Sequence, residues 1–360
     1  MDIVETNGIS PKAWHTLTAL LVACITLVSC LTQARNPSEK PSAAQPVAQS
    51  PAQPPPSAQD LLDAIAQKQS AKAEALLNQV PGLADSKDRW GKTPLYWSCV
   101  TGDLRMAELL LAKGAHPAIP DNEGYTALHT AAGNGWATLV ERLIAAGADV
   151  NSSANSTRAT PLHFVAGRLV TAAMEEEVKA LIGVEGVEVA VVNNRMQISP
   201  AAENSTQVAR LLLSHGARID AQDKYGQTPL FWAAVFGGDS KLVALLLDNG
   251  AKASAQNLSG RTPLHEAAYN ASTQTVELLV ARGADVNAKD ANGNTALIAA
   301  AASPYGDDAY AVVQFLLAAG ADANARAKDG WSALGMAKGW EHERVAALIG
   351  QSGGKDYRGW

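Results

Sequence analysis

Between residues 60 and 351, short apolar stretches alternate with polar, glycine-punctuated turns, and the alternation returns about every 33 residues. The first stretch of each cycle opens on a tetrapeptide: Thr93-Pro94-Leu95-Tyr96, Thr126-Ala127-Leu128-His129, Thr160-Pro161-Leu162-His163, Thr228-Pro229-Leu230-Phe231, Thr262-Pro263-Leu264-His265 and Thr295-Ala296-Leu297-Ile298. Successive starts differ by 33, 34, 68, 34 and 33, and the 68 reads as two periods. The second stretch closes on a leucine-rich segment ending Gly-Ala, as in Leu110 to Ala115, Leu143 to Ala148, Leu279 to Ala284 and Leu316 to Ala321. Two helices per cycle are predicted. Thr caps the first helix, and Pro fills its first turn, where a missing N–H does no harm. Gly102 and Gly135 end first helices; Gly114, Gly147 and Gly283 end second helices by accepting a left-handed backbone. An Asp-x-x-Gly turn (Asp88 to Gly91, Asp121 to Gly124, Asp223 to Gly226) then makes a β-finger.

This pattern resembles the ankyrin repeat, at its period of about 33 with its Thr-Pro-Leu-His signature. The resemblance implies an all-α repeat solenoid of about eight or nine units, each a helix–turn–helix plus a β-finger, over residues 59–352. Leu61 to Gln67 and Ala71 to Leu77 supply an N-terminal cap, and Ser332-Ala333-Leu334-Gly335 with Glu341 to Ile349 a C-terminal one, followed by a tail at 353–360. Two places break the rhythm. In the cycle opened by Thr160 about five residues are inserted, and the next cycle is degenerate, with Arg195-Met196-Gln197-Ile198 in place of the tetrapeptide. Pro200 then falls inside a first helix, so a kink or groove is expected between Arg168 and Asn204. A four-residue excess around Ser303 to Asp308 is expected to form a loop between two helices.

The N-terminus follows another logic. Leu17 to Val28 is an uncharged, mostly apolar run of 12, the length of a secretion signal's apolar region and short for a membrane span. It ends at Leu27-Val28-Ser29-Cys30, which resembles the lipobox of bacterial lipoproteins, although Asp2 and Glu5 outweigh Lys12 ahead of it. The resemblance implies a signal peptide at 1–29, acylation of Cys30, and placement as an outer-membrane lipoprotein facing the periplasm. A single-pass anchor is the alternative. Residues 30–58 hold seven prolines and no glycine and read as a stiff tether.

Charge and composition narrow the function. The formal charge is −6, from 29 basic and 35 acidic residues, with no clustered positive stripe, which argues against nucleic acid. The three cysteines make no disulfide framework, and Cys99 falls where a packed small residue is expected. His129, His163 and His265 occupy the repeat's own His position, which in the family ties the first helix to neighbouring loops. His116, His215 and His342 lack metal-ligand spacing. No nucleophile motif or nucleotide fingerprint is present, so no metal, small-molecule cofactor or catalytic residue is predicted. Glu175-Glu176-Glu177 reads as a solvated face.

Positions that the repeat leaves variable are richer. Arg89, Trp90, Lys92, Tyr125, Tyr225, Arg261 and Trp331 fall on the fingers, and Phe236 and Tyr269 on first helices. Aromatic rings are frequent among them although only 5% of the chain is aromatic, and rings flanked by Arg and Lys are the composition of protein-binding hot spots. Trp97 and Trp232 are expected in the core. The resemblance therefore implies a non-catalytic module that binds a partner protein on its concave face, as a scaffold or inhibitor. Alternatives are an immunity-type antagonist of a toxin enzyme, an accessory or catalytic envelope enzyme module built around Glu175 to Glu177, and a membrane-anchored adaptor.

Overall fold

The computed structural model describes residues 56–167, 189–192, 195–198, 204–236 and 239–358. The signal peptide, Cys30 and nearly all of the tether lie outside the described residues, as do Glu175 to Glu177 and Pro200. Helices come in antiparallel pairs: α1 (Ala58–Ala66) with α2 (Ser70–Gln79), α3 (Pro94–Thr101) with α4 (Leu104–Ala112), and α5 (Ala127–Gly133) with α6 (Ala137–Ala145). After them come α7 (Pro161–Gly167) with α8 (Asn204–Ser214), α9 (Pro229–Val235) with α10 (Ser240–Asp248), and α11 (Pro263–Tyr269) with α12 (Thr273–Ala281). The last two pairs are α13 (Ala296–Ala301) with α14 (Tyr310–Ala318) and α15 (Ala333–Gly339) with α16 (Glu343–Gln351). Among the described residues eight pairs stack in a row, first helices in one layer and second helices in the other.

The local chemistry explains the elements. Thr93, Thr228 and Thr295 accept the backbone N–H three residues on, and Pro follows Thr93 and Thr228. Gly102 ends α3 at φ 67° and Gly135 follows α5 at φ 72°. No single repeat buries its own apolar stripe, so the core runs between repeats through Leu95, Leu128, Leu162, Leu230, Leu264 and Leu297, each at most 1% exposed. Cys99 is wholly buried, and burial pushes its thiol up to about 12, which keeps it protonated and inert.

The stack corrects the reading of residues 168–203. Among the described residues no degenerate repeat stands between the repeats opened by Thr160 and Thr228. First helix α7 lies directly on first helix α9, and second helix α8 fills the place between α6 and α10. The spacing of 68 between Thr160 and Thr228 is therefore one step of the solenoid, with residues 168–203 inserted between the two helices of a single repeat. The stack passes this point by the same bonds it uses elsewhere. Asn151 Nδ2 donates to the Gly216 carbonyl at 2.9 Å and its Oδ1 accepts the Arg218 N–H at 2.8 Å, as Asn287 does with Gly320 (3.0 Å) and Asp322 (2.8 Å). Gly167 is required at this step, because a Cβ there would overlap the Trp232 ring. Arg195–Ile198, expected at the start of a helix, is instead strand β2, paired antiparallel with β1 (Val189–Val192) in the register Val189↔Ile198 to Val192↔Arg195. The kink expected from Pro200 falls outside the described residues, and the helices flanking it stack regularly.

The residues around Ser303 to Asp308 do form an inter-helix loop. It is pinned to the last pair by the Val345 N–H, which donates to Asp307 Oδ1 at 3.1 Å. The tail closes the row where a further finger would sit. Asn324 Nδ2 donates to the Gly353 carbonyl at 3.1 Å, and the Ser332 N–H to the Tyr357 carbonyl at 3.1 Å.

Candidate binding surface

Five of the fingers are each set by one side chain. Asp88 Oδ1 accepts the N–H groups of Trp90 (2.9 Å) and Lys92 (2.8 Å). Asp121 does the same for Glu123 and Tyr125, Asp223 for Tyr225 and Gln227, Asn257 for Ser259 and Arg261, and Asp290 for Asn292 and Asn294. The acceptor turns inward, and the residues after it turn toward solvent. Neighbouring fingers are joined by one backbone hydrogen bond per step: Asn122 to Trp90 (3.0 Å), Ser156 to Glu123 (3.3 Å), Lys224 to Thr157 (2.8 Å), Leu258 to Tyr225 (2.9 Å), Ala291 to Ser259 (2.9 Å) and Lys328 to Asn292 (2.8 Å). The finger edge is thus a continuous ladder whose side chains are held in register before any partner arrives.

Along this edge the structure gathers the residues singled out by sequence into groups. The first holds Arg89, Trp90 and Lys92. The Arg89 guanidinium lies 3.9 Å over the Trp90 ring. The Lys92 ammonium is 5.0 Å from Tyr96, 5.2 Å from Trp97 and 5.8 Å from Trp90, within cation–π reach of all three. Trp97 Nε1 donates to Asp88 Oδ2 at 2.9 Å, which anchors the cluster to its own finger. The second group crosses the first-helix layer. Tyr125 meets His129 and Phe164 edge-on, Phe164 faces Trp232, and Trp232 meets Phe236 edge-on at 5.8 Å. Trp232 is core, with its Nε1 donating to Asp223 Oδ2 at 3.0 Å, whereas Phe236 is 47% exposed. Tyr225 is 46% exposed on its finger, with the Lys224 ammonium 5.0 Å from its ring.

The remaining positions stand apart. Arg261 is engaged by Glu266 and lies 3.8 Å from Asp290, and Tyr269 is half-buried, burial pushing its phenol up. Trp331 packs across Gly335 and Gly339 of the last first helix. Sequence reasoning missed Leu258, 79% exposed beside Tyr225; an apolar residue directly after a finger's Asn was the available signal.

The three tetrapeptide histidines are structural in both nitrogens. His129 Nδ1 accepts the Thr126 N–H at 3.1 Å, so Nε2 carries the proton and donates to the Ala159 carbonyl of the next finger at 3.2 Å. His163 bonds Thr160 and the Gln227 carbonyl (3.1 Å), and His265 bonds Thr262 and the Asn294 carbonyl (3.0 Å). Burial lowers the basicity of all three, taking His129 down to about 4, so each is a neutral link between repeats. Among the described residues no group of His, Cys, Asp and Glu has metal-binding geometry, and no helix is long and apolar enough to cross a membrane.

Comparison with known proteins agrees with this architecture. A family model described as ankyrin repeats (3 copies) matches residues 61–154, 168–257 and 234–327. The chain is 30% identical over 182 residues to a Saccharomyces cerevisiae protein named a probable 26S proteasome regulatory subunit p28, covering 48% of this chain and 77% of that protein. It is 29% identical to mouse inversin over 153 residues, 42% of this chain but 14% of inversin's length. Among solved structures, the human ASB11 ankyrin repeat domain superposes with a TM-score of 0.56 at 23% identity, covering 73% of this chain and 98% of that one. That likeness is one of fold.

Proposed function

The chain belongs to the ankyrin-repeat family, a fold of protein–protein interaction modules, and from that premise we propose that it is a non-catalytic scaffold or inhibitor holding a partner protein on its fingers and first helices. The observation that carries this reading is the ladder of fingers that fixes Arg89, Trp90, Lys92 and Tyr225 in a preset array. A surface already ordered loses little entropy on binding, so a few ring anchors suffice for useful affinity. A catalytic role finds no support in His129, His163 and His265, whose ring nitrogens are both engaged by backbone partners. The experiment is a pull-down from envelope extract with the wild type beside Trp90→Ala/Tyr225→Ala/Phe236→Ala. The variant is expected to lose specific partners at unchanged fold. Equal recovery of the same proteins would show that this face is not the one used.

We further propose that the module is tethered to the envelope through acylated Cys30, in keeping with the apolar run that ends at Leu27-Val28-Ser29-Cys30. Two or more acyl chains make such attachment durable. The proline-rich residues 31–58 then hold the solenoid at up to about 85 Å from the bilayer, at about 3.1 Å per residue. The mass of the N-terminal peptide separates the outcomes. A diacyl or triacyl mass on Cys30 supports the tether, and an intact N-terminus supports the single-pass anchor.

A further inference from the structure

Cations are paired in some places on this solenoid and unpaired in others. On the second helices Arg142 pairs with Glu108 of the neighbouring repeat at 2.9 Å and Arg282 with Asp248 at 2.8 Å, while Arg344 lies over the Tyr310 ring. On the fingers from Arg89 to Lys224 the cations lack such pairs. Arg89, Lys92 and Lys224 lie against rings, Arg158 is exposed, and among the described residues none of the four has a carboxylate within ion-pair distance. The acids of the same fingers point the other way. Asp121 and Asp223 are 8% and 3% exposed, their oxygens taken up by backbone N–H groups and, at Asp223, by the Trp232 indole. Glu123 is the exception, half-buried between the fields of Lys92 and Lys224. A cation resting on a ring is held in place and keeps N–H donors for an incoming acceptor. Beside these cations lie Tyr225 and Leu258, the large apolar side chains most exposed on the fingers and adjacent through the Leu258-to-Tyr225 backbone bond.

Resting on the binding face proposed above, we propose that the finger edge from Arg89 to Leu258 takes an extended acidic polypeptide segment carrying apolar or aromatic side chains. Carboxylates of the segment reach Arg89, Lys92, Arg158 and Lys224, and its apolar side chains cover Tyr225 and Leu258. With four finger intervals of about 8–10 Å each, the edge is roughly 35 Å long, which an extended strand at about 3.3 Å per residue spans with about ten residues. A polyphosphate chain fits less well. It would meet the Glu123 carboxylate among these cations and would leave the exposed Leu258 uncovered.

The test is to pan a random twelve-residue peptide library against the full chain. Recovered peptides are then titrated against the wild type, Arg89→Gln/Lys92→Gln/Arg158→Gln/Lys224→Gln, and Trp90→Ala/Tyr225→Ala/Phe236→Ala, with far-UV circular dichroism as the folding check. Peptides enriched in Asp or Glu beside Trp, Phe or Leu are expected. Their binding should weaken tenfold or more on the charge variant, and several-fold for the wild type between 50 and 200 mM salt. The salt series uses the wild type alone and decides the matter even if the charge variant does not fold. Neutral or basic peptides, no enrichment, salt-independent binding, or displacement by a DNA duplex or by phosphatidylglycerol vesicles would overturn the proposal. Peptides that lose binding on the aromatic variant but not on the charge variant would overturn the acidic partner and leave the binding face standing. Peptides indifferent to both would remove the face itself.

Discussion

Two consecutive repeats, α5 with α6 and α7 with α8, differ by an insertion of a whole repeat's length and yet make the same contacts. In the first, three residues join the helices; in the second, residues 168–203 do. His129 reaches a carbonyl 30 residues ahead and His163 one 64 ahead, at 3.2 and 3.1 Å. The repeat is thus defined by what its helices and finger touch, and the length of the connection between its helices is free. Loop closure explains why this is tolerated, since each doubling of loop length costs only about 0.6 kcal/mol.

The sharpest way to break this equivalence is to remove the linking histidines one at a time. His129→Ala and His163→Ala should each destabilise by about 3 kcal/mol, from an orphaned N–H, an orphaned carbonyl and a cavity. Urea melts with matched midpoints would uphold the equivalence, and a much smaller loss at His163 would mean that the interrupted repeat is only loosely docked. Next comes excision of residues 168–203 with Gly167 joined to Asn204 by three polar residues. The shorter loop should stabilise by up to about 2 kcal/mol and leave the urea m-value unchanged, since m follows the surface exposed on unfolding. A fallen m-value would restore the reading of that segment as a stacked repeat.

Acid sharpens the comparison further. All three histidines have folded basicities below their ordinary value, so the unfolded chain takes up protons first as pH falls through 6.5. Stability is therefore full above that point and lost below it, for His129 progressively down to about 4. His129 alone accounts for about 1.4 kcal/mol at pH 5.5, with His163 and His265 adding in the same direction. Melting temperature against pH checks this, and His129→Gln should flatten the curve. The smallest effect is expected at Ala271, which stands at φ 53° where other repeats place Gly102 and Gly135. Ala271→Gly should stabilise by about 0.5–1 kcal/mol, read as a small rise in the thermal midpoint.

Much of the candidate surface was legible at single positions. Trp90, Lys92 and Tyr225 are placed by a turn whose geometry follows from an Asp and a Gly in sequence. What was not legible was which rings stay open. Trp331 and Phe236 look alike on paper, but Trp331 lies down on Gly335 and Gly339, whereas Phe236 stands at the end of its helix, edge-on to Trp232 and 47% exposed. Nor did Arg261 reveal that Glu266, five residues on, would engage its guanidinium.

By itself the sequence determined the helix ends, the finger turns and the repeating unit, because caps, left-handed glycines and Asp-to-backbone bonds all act within a few residues. The tertiary structure alone decided which helix completes the repeat opened by Thr160. Val208, Ala209 and Leu212 of α8 present the apolar stripe that any second helix of this chain presents. Only burial between α6 and α10 distinguishes that place from its equivalents, and a periodicity count cannot tell one long step from two short ones.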